Sequence, residues 1–215
     1  MIAVILYIME EFPMDRIRSA KKQTNNRFLN MYEMEVAHRD GKIAPYYMAS
    51  RIGDPDKIKP VTGRNDPNGV IMYGVYGEQK DRVVLVRQYR YPIGGYVYEF
   101  PAGLVEPGEE LTQAGIREMY EETGLTFTPA EAGCYTKPFF TTVGMTDESC
   151  GTVFGYCSGS PTNTHQESSE DIQVIIADRN ECRRILKEEN VAIMCAYMLM
   201  HFIASDGDPL AFLNA

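Results

Sequence analysis

Three glutamates, Glu118, Glu121 and Glu122, fall within five residues, with Arg117 directly before them, in the stretch GLVEPGEELTQAGIREMYEETGL from 103 to 125. Carboxylates this close repel one another unless positive charge lies among them. Two explanations compete: a solvated helix face that tolerates the repulsion, and a site that needs a cation. On a helix turning about 100° per residue the three glutamates fall within an arc of roughly 100°, and Ile116, Met119 and Tyr120 are predicted to point the other way and pack on a sheet. Clustered carboxylate oxygens suit Mg²⁺ or Mn²⁺, hard cations that retain water and bind substrate phosphates beside a few protein ligands. Arg117 lies one turn before Glu121, where it can pair with it and orient it.

The element carrying these groups is predicted as a helix over 112–123, with Gly124 as its left-handed cap. Strands are predicted at 70–76, 82–88 and 96–100 before it and at 133–140, 152–157 and 172–177 after it, with helices over 180–189 and 191–204. That order implies an α/β (α+β) fold, a mixed sheet covered by helices. Upstream, residues 28–50 alternate polar and apolar around Asp40-Gly41, a dipeptide that supplies the positive φ of a tight hairpin. The stretch DPDKIKPVTGRNDPNG, 54–69, reads as a connection. The chain is thus divided into an N-terminal β-hairpin subdomain, 1–65, and a main domain, 66–215.

Composition narrows the partners. With 21 basic and 30 acidic residues the net charge of -9 repels a phosphate backbone, so no nucleic-acid polymer is expected. A small phosphorylated ligand remains open, because a divalent metal supplies the missing positive charge. Cys134, Cys150, Cys157, Cys182 and Cys195 never stand as CxxC, so neither a disulfide framework nor a zinc site is expected, and a reduced cytoplasm fits. The apolar runs IAVILYIM, 2–9, and VAIMCAYMLMHFIA, 191–204, are short of the roughly 20 residues of a membrane span, so no membrane partner is expected. The first run lacks the flanks of a signal peptide, and Met9 and Met14 are alternative starts. His38, His165 and His201 have no ligand spacing, and no Ser-His-Asp or Cys-His arrangement is suggested.

The wider spacing G-x5-E-x7-R-E-U-x-E-E-x-G-U, with U bulky and apolar, is met by Gly103, Glu109, Arg117, Glu118, Met119, Glu121, Glu122, Gly124 and Leu125. Chance meets the seven fixed positions at a given start on the order of once in 10⁸. The pattern resembles the signature of the Nudix hydrolases. The resemblance implies an α/β/α sandwich with a mixed sheet that hydrolyses a nucleoside diphosphate linked to another group. It implies Mg²⁺, with Mn²⁺ as a substitute, on Glu118, Glu121, Glu122 and the backbone carbonyl of Ala102, with Arg117 in the catalytic group.

Upstream, RQYRYPIGGYVYEFPAG, 87–103, resembles the ADP-sugar pyrophosphatase branch. This likeness implies substrate contacts at Arg90, Glu99 and Leu104. It also implies a homodimer through the N-terminal hairpin, with Phe28 and Tyr46 where tryptophans stack on adenine in the branch, and Arg51 on phosphate; the chain itself has no Trp. FFTTVGMTDES, 139–149, resembles the branch's S-P-G-x-x-x-E loop, with Gly144 and Glu148 in register and Val143 replacing the proline. Glu148 is there a metal or ribose contact. The base that takes a proton from the attacking water lies in the branch before a late strand; here HQESSEDIQVII offers Glu170 first and Glu167 second. The implied reaction is ADP-ribose to AMP and ribose 5-phosphate. The alternatives are a pyrophosphatase for GDP-mannose or a UDP-sugar, and a non-catalytic module that senses a nucleotide.

Overall fold

Apolar side chains gather around separate cores, and the chain divides with them into two units: residues up to Asn65 with Phe140–Glu148, and Asp66–Phe139 with Ser149–Ala215. The computed structural model describes residues 16–166 and 171–214. The 2–9 run, Met9, Met14, Glu167 and Glu170 lie outside the described residues.

In the first unit, strands β1 (Ile17–Lys22), β2 (Asn30–Ala37) and β3 (Ile43–Ser50) form an antiparallel sheet in the order β1-β2-β3. The β2-β3 turn falls at Asp40-Gly41, where Gly41 has φ 83° and the Lys42 N–H donates to the Asp40 carboxylate at 3.1 Å. Strand β1 has the sequence IRSAKK, too polar to announce itself, and it occupies an edge where lysines suit an unpaired rim. Tyr32, Met34, Met48 and Ile58 make the small core, and the Tyr32 hydroxyl donates to the Ile52 carbonyl at 2.6 Å. The expected connection is partly ordered by a 3-10 turn, Pro55–Lys57, capped by Asp54, and by the single turn α1 (Lys59–Thr62). The 140–148 segment runs beside β3: the Ala49 N–H donates to the Met145 carbonyl at 2.9 Å, and Ala49 bridges Thr146 in parallel.

The second unit contains β4 (Gly69–Tyr76), β5 (Arg82–Arg90), β6 (Gly95–Glu99), β7 (Ala102–Leu104), α2 (Leu111–Thr123), β8 (Thr126–Pro129), β10 (Ser149–Ser158), β11 (Ile172–Asp178), α3 (Arg179–Glu188) and α4 (Ile193–Ala204), with β9 (Phe139–Phe140) at its margin. The main path is β11-β5-β4-β10-β8, β6 pairs β5 and β7 pairs β4. Strands β4 and β10 run parallel, whereas β4–β5, β4–β7, β5–β6, β5–β11 and β8–β10 are antiparallel, which makes the sheet mixed.

Successive side chains of a strand point to opposite faces. Val70 and Met72 therefore join Val84, Ala114 and Met119 on the α2 side, while Ile71, Tyr73 and Val75 join Leu85, Ile185, Leu199 and Phe202 on the α3 and α4 side. Covered on both faces, β4 is a continuous buried run, and the unit is an α/β/α sandwich.

Two predictions fail here. Residues 133–140 are not a strand but a 3-10 turn, Gly133–Thr136, followed by the two-residue β9, with Pro138 between them removing a ladder donor. Ile116 and Tyr120 do not pack on the sheet; both are exposed, and the buried face of α2 is Ala114, Gly115, Met119, Glu122 and Thr123. A Cβ on Gly115 would stand 3.1 Å from Val153 Cγ2, so the helix approaches the sheet too closely for large side chains. Strands β7 and β8, of 3 and 4 residues, are too short for alternation to reveal.

Candidate metal and substrate site

Helix α2 ends at Gly124, φ 71°, whose N–H donates to the Tyr120 carbonyl at 2.8 Å. About two turns earlier, Arg117 organises the acidic groups. Its Nε and Nη2 donate to the two oxygens of Glu109 at 2.9 and 2.8 Å, a bidentate pair. Nη1 donates to Glu118 at 2.9 Å and to Glu121 at 3.0 Å, and Nη2 also reaches the Leu104 carbonyl at 3.1 Å. One guanidinium thus sets three carboxylates and a strand carbonyl around itself.

The Arg117–Glu121 pair follows from helix spacing, one turn apart, whereas the pair with Glu109, eight residues before Arg117 and outside the helix, does not. The Arg117 bonds, helped by the Glu106 N–H, hold the Glu109 carboxyl down at about 2 against an ordinary 4.5. A depressed carboxyl contributes stability that is present above its ordinary value and is lost as pH falls toward the folded one. Glu109→Gln should therefore flatten the decline of melting temperature between about pH 4.5 and 2 relative to the parent protein; parallel melting curves would show that the pair contributes nothing.

Strand β7 lies against α2. Glu122 is only 3% exposed, and its carboxylate accepts the Ala102 N–H at 3.2 Å. A Cβ on Gly103 would stand 1.9 Å from Glu118 Cδ, so glycine is what lets this carboxylate reach the strand. The side chains of Glu118 and Glu121 are 14% and 46% exposed.

Among the described residues no group of three His, Cys, Asp or Glu side chains stands ready around one point to hold a metal. The donor chemistry fits one all the same. Glu118, Glu121, Glu122 and the Ala102 carbonyl offer only hard oxygens, the class that Mg²⁺ and Mn²⁺ take. Each carboxylate has two oxygens and about four lone-pair sites, so pairing with Arg117 is chemically compatible with a cation after rotation.

In the same unit, Arg90 and Glu99, each expected to meet substrate, meet each other: Arg90 Nε donates to Glu99 at 2.6 Å across β5 and β6. The Leu104 side chain is exposed, and its carbonyl belongs to the Arg117 network. Asp171, just after the segment that holds Glu167 and Glu170, accepts the Tyr96 hydroxyl at 2.5 Å. Burial pushes the thiols of Cys157 and Cys182 up to about 12, which makes them poor nucleophiles. His201 packs edge-on against Phe212 and Tyr73.

In the first unit, Arg51 Nε donates to Glu148 at 2.8 Å, and the Thr141 hydroxyl donates to the other Glu148 oxygen at 3.1 Å. The Tyr46 hydroxyl donates to the Gly144 carbonyl at 2.8 Å, and Val143, which replaces the proline of the loop pattern, is exposed. Tyr46 also lines a cavity of about 1060 Å³ within this unit, together with Met34, Met48, Phe140 and Met145. Phe28 is exposed, with the Arg27 guanidinium 4.7 Å from its ring centre.

A family model of the NUDIX domain matches residues 66–190. A Caenorhabditis elegans protein whose name places it among the nudix hydrolases is 35% identical over 161 residues, 73% of this chain and 69% of that protein. The Bacillus subtilis ADP-ribose pyrophosphatase is 37% identical over 82 residues, 38% of this chain and 42% of its own. The mouse ADP-sugar pyrophosphatase is 51% identical over 49 residues, 23% and 22% of the two chains. These two matches each span less than half of the relative. A solved structure of an ADP compounds hydrolase superposes with a TM-score of 0.56 at 16% identity, covering 80% of this chain and 82% of that one, a likeness of fold.

Proposed function

This chain belongs to the Nudix family of hydrolases and is a pyrophosphatase of that family, and on this premise we propose that it cleaves ADP-ribose or a related ADP-sugar into AMP and a sugar phosphate with Mg²⁺. The observation that carries the reading is the joint of β7 and α2, where Gly103 admits Glu118 and the Ala102 N–H holds buried Glu122. Glu118, Glu121, Glu122 and the Ala102 carbonyl would hold the cation, which when bound supplies Lewis-acid charge at the diphosphate.

The chain's own groups do the rest. Arg117 positions Glu118 and Glu121 while Glu109 fixes its fork from the other side. Glu170, or Glu167, takes a proton from water; a new bond forms between the water oxygen and phosphorus, and the bridging P–O bond breaks. The bonding pair leaves with the departing phosphate. Arg90 and Arg51 are each paired through Nε with a carboxylate, which fixes a planar fork of the kind that receives phosphate oxygens. On this reading Glu99, Leu104 and Glu148 are further substrate contacts. Phe28 and Tyr46 offer rings for the base. The relatives named for ADP-ribose and ADP-sugar favour adenine.

The hairpin unit is the proposed homodimer contact, and Cys157, Cys182 and Cys195, all free thiols, suit the cytoplasm. No helix among the described residues is long and apolar enough to cross a membrane.

Incubating pure protein and Mg²⁺ with ADP-ribose, ADP-glucose, GDP-mannose, UDP-glucose and NADH, and identifying the products, tests the substrate. AMP and ribose 5-phosphate from ADP-ribose at the highest kcat/KM are expected. No AMP from that substrate ends the claim.

A further inference from the structure

Between β9 and β10 the segment 141–148 closes on itself and lies along β3 and α1. At its neck the Thr141 N–H donates to the Glu148 carbonyl at 3.0 Å. Its tip is pinned where the Tyr46 hydroxyl donates to the Gly144 carbonyl and the Ala49 N–H to the Met145 carbonyl. Farther on, buried Asp147 accepts the Lys59 N–H at 3.2 Å, and the Thr146 hydroxyl accepts the Glu148 N–H at 3.3 Å. The backbone of the segment is thus held at its neck and at its tip. These bonds leave one thing undetermined, the direction of the Glu148 carboxylate.

Arg51 alone does not set that direction. The side chains of the Arg51–Glu148 pair are 42% and 31% exposed, and an ion pair this open to water gives back most of its attraction in holding two long side chains still. The Thr141 hydroxyl supplies the missing constraint. It lies 3.1 Å from the Glu148 oxygen that Arg51 does not take, and 3.4 Å from the Glu148 carbonyl, which already receives the Thr141 N–H. The nearer, charged oxygen is the stronger acceptor. A β-branched side chain is stiff at χ1, so the hydroxyl is placed at little further loss of freedom. With one carboxylate oxygen on Thr141 and the other on Arg51 Nε at 2.8 Å, the guanidinium plane is set, and its Nη1–Nη2 edge makes no hydrogen bond among the described residues. Two parallel donors on one edge match two oxygens of one phosphate.

We infer that Thr141 is a positioning residue for substrate: acting through Glu148, its hydroxyl holds the Arg51 fork in the orientation that receives a phosphate of the diphosphate. This rests on the reading that Arg51 meets the diphosphate of a nucleotide sugar.

Thr141→Val keeps the branched shape and removes the hydroxyl, whereas Thr141→Ser keeps the hydroxyl and removes the methyl. Each is made alone and in an Arg51→Ala background, and assayed with Mg²⁺ on whichever nucleotide sugar the parent protein cleaves best. Thr141→Val should raise KM about tenfold, the scale of one hydrogen bond to a charged group, with kcat within about twofold of the parent. Thr141→Ser should restore KM. Melting temperature, and affinity for Mn²⁺ alone read by calorimetry, should match the parent in both. Arg51→Ala should itself raise KM by at least about tenfold, and valine should then add nothing, because the group it orients is gone.

An unchanged KM in Thr141→Val, failure of serine to restore it, or a loss fully additive to that of Arg51→Ala overturns the inference and leaves Arg51 in place. So does a fall in kcat, melting temperature or Mn²⁺ affinity in step with the rise in KM. Parent-level KM in Arg51→Ala removes Arg51 from the substrate, and the inference with it. No cleavage of any nucleotide sugar ends the proposed activity, on which the inference stands.

Discussion

Glu122→Gln should lower kcat for ADP-ribose by on the order of a thousandfold, about 4 kcal/mol of transition-state stabilisation, without unfolding the protein. The side chain is buried, 3% exposed, on the face of α2 that packs against the sheet, a position where an apolar residue would be the ordinary choice. Burying a carboxylate costs several kcal/mol unless charge or hydrogen bonds compensate it, and two further carboxylates one turn or less away add repulsion. A cation reverses that balance. Glutamine keeps the shape and an acceptor for the Ala102 N–H, 3.2 Å away, so packing should survive; only the negative charge is lost. The melting temperature should hold or rise, since repulsion falls, while Mg²⁺-dependent turnover collapses. Steady-state kinetics beside a thermal melt reads both, and an unchanged rate would remove Glu122 from the ligand set.

Gly103→Ala should cost about 100-fold in activity through a different route, displacing a proposed ligand instead of neutralising it. The new methyl would meet Glu118 Cδ at 1.9 Å and its oxygens at 2.1 and 2.2 Å. A glutamate side chain is flexible enough to swing away, so the fold should lose only about 1 kcal/mol. Swinging away breaks the 2.9 Å bond to Arg117 and removes the carboxylate from its place beside Glu122. Affinity for Mn²⁺ should fall with kcat. In a Glu118→Ala background the glycine substitution should add almost nothing, because the group it displaces is gone. A full loss persisting in that background would mean that Gly103 matters for the strand and not for the carboxylate.

The acidic helix, its cap at Gly124 and the hairpin turn at Asp40-Gly41 could be read directly because each depends on local chemistry: charge spacing, positive φ and alternation within a few residues. The Arg117–Glu121 bond was legible for the same reason, since residues one turn apart on a helix face each other. The buried face of α2 was not. Hydrophobicity pointed to Ile116 and Tyr120, whereas the sheet accepts Gly115 and Ala114 because the helix axis lies close to Val153 and Met72. Strand β1 was too polar to stand out, and β7 exists because Ala102–Leu104 finds β4 to pair with.

By itself, then, the amino-acid order determined the family and the mixed α/β architecture, both of which follow from patterns along the chain. The folded chain decided what spacing cannot express. Glu109, eight residues before Arg117, closes on the same guanidinium; Arg90 pairs with Glu99, and Arg51 with Glu148, 97 positions away. It also decided that Gly103 and Gly124 serve as clearances, for Glu118 and for Thr162. Such contacts depend on how strands, helices and loops are brought together in space. That assembly is governed by the packing of whole elements, and not by the residues next door.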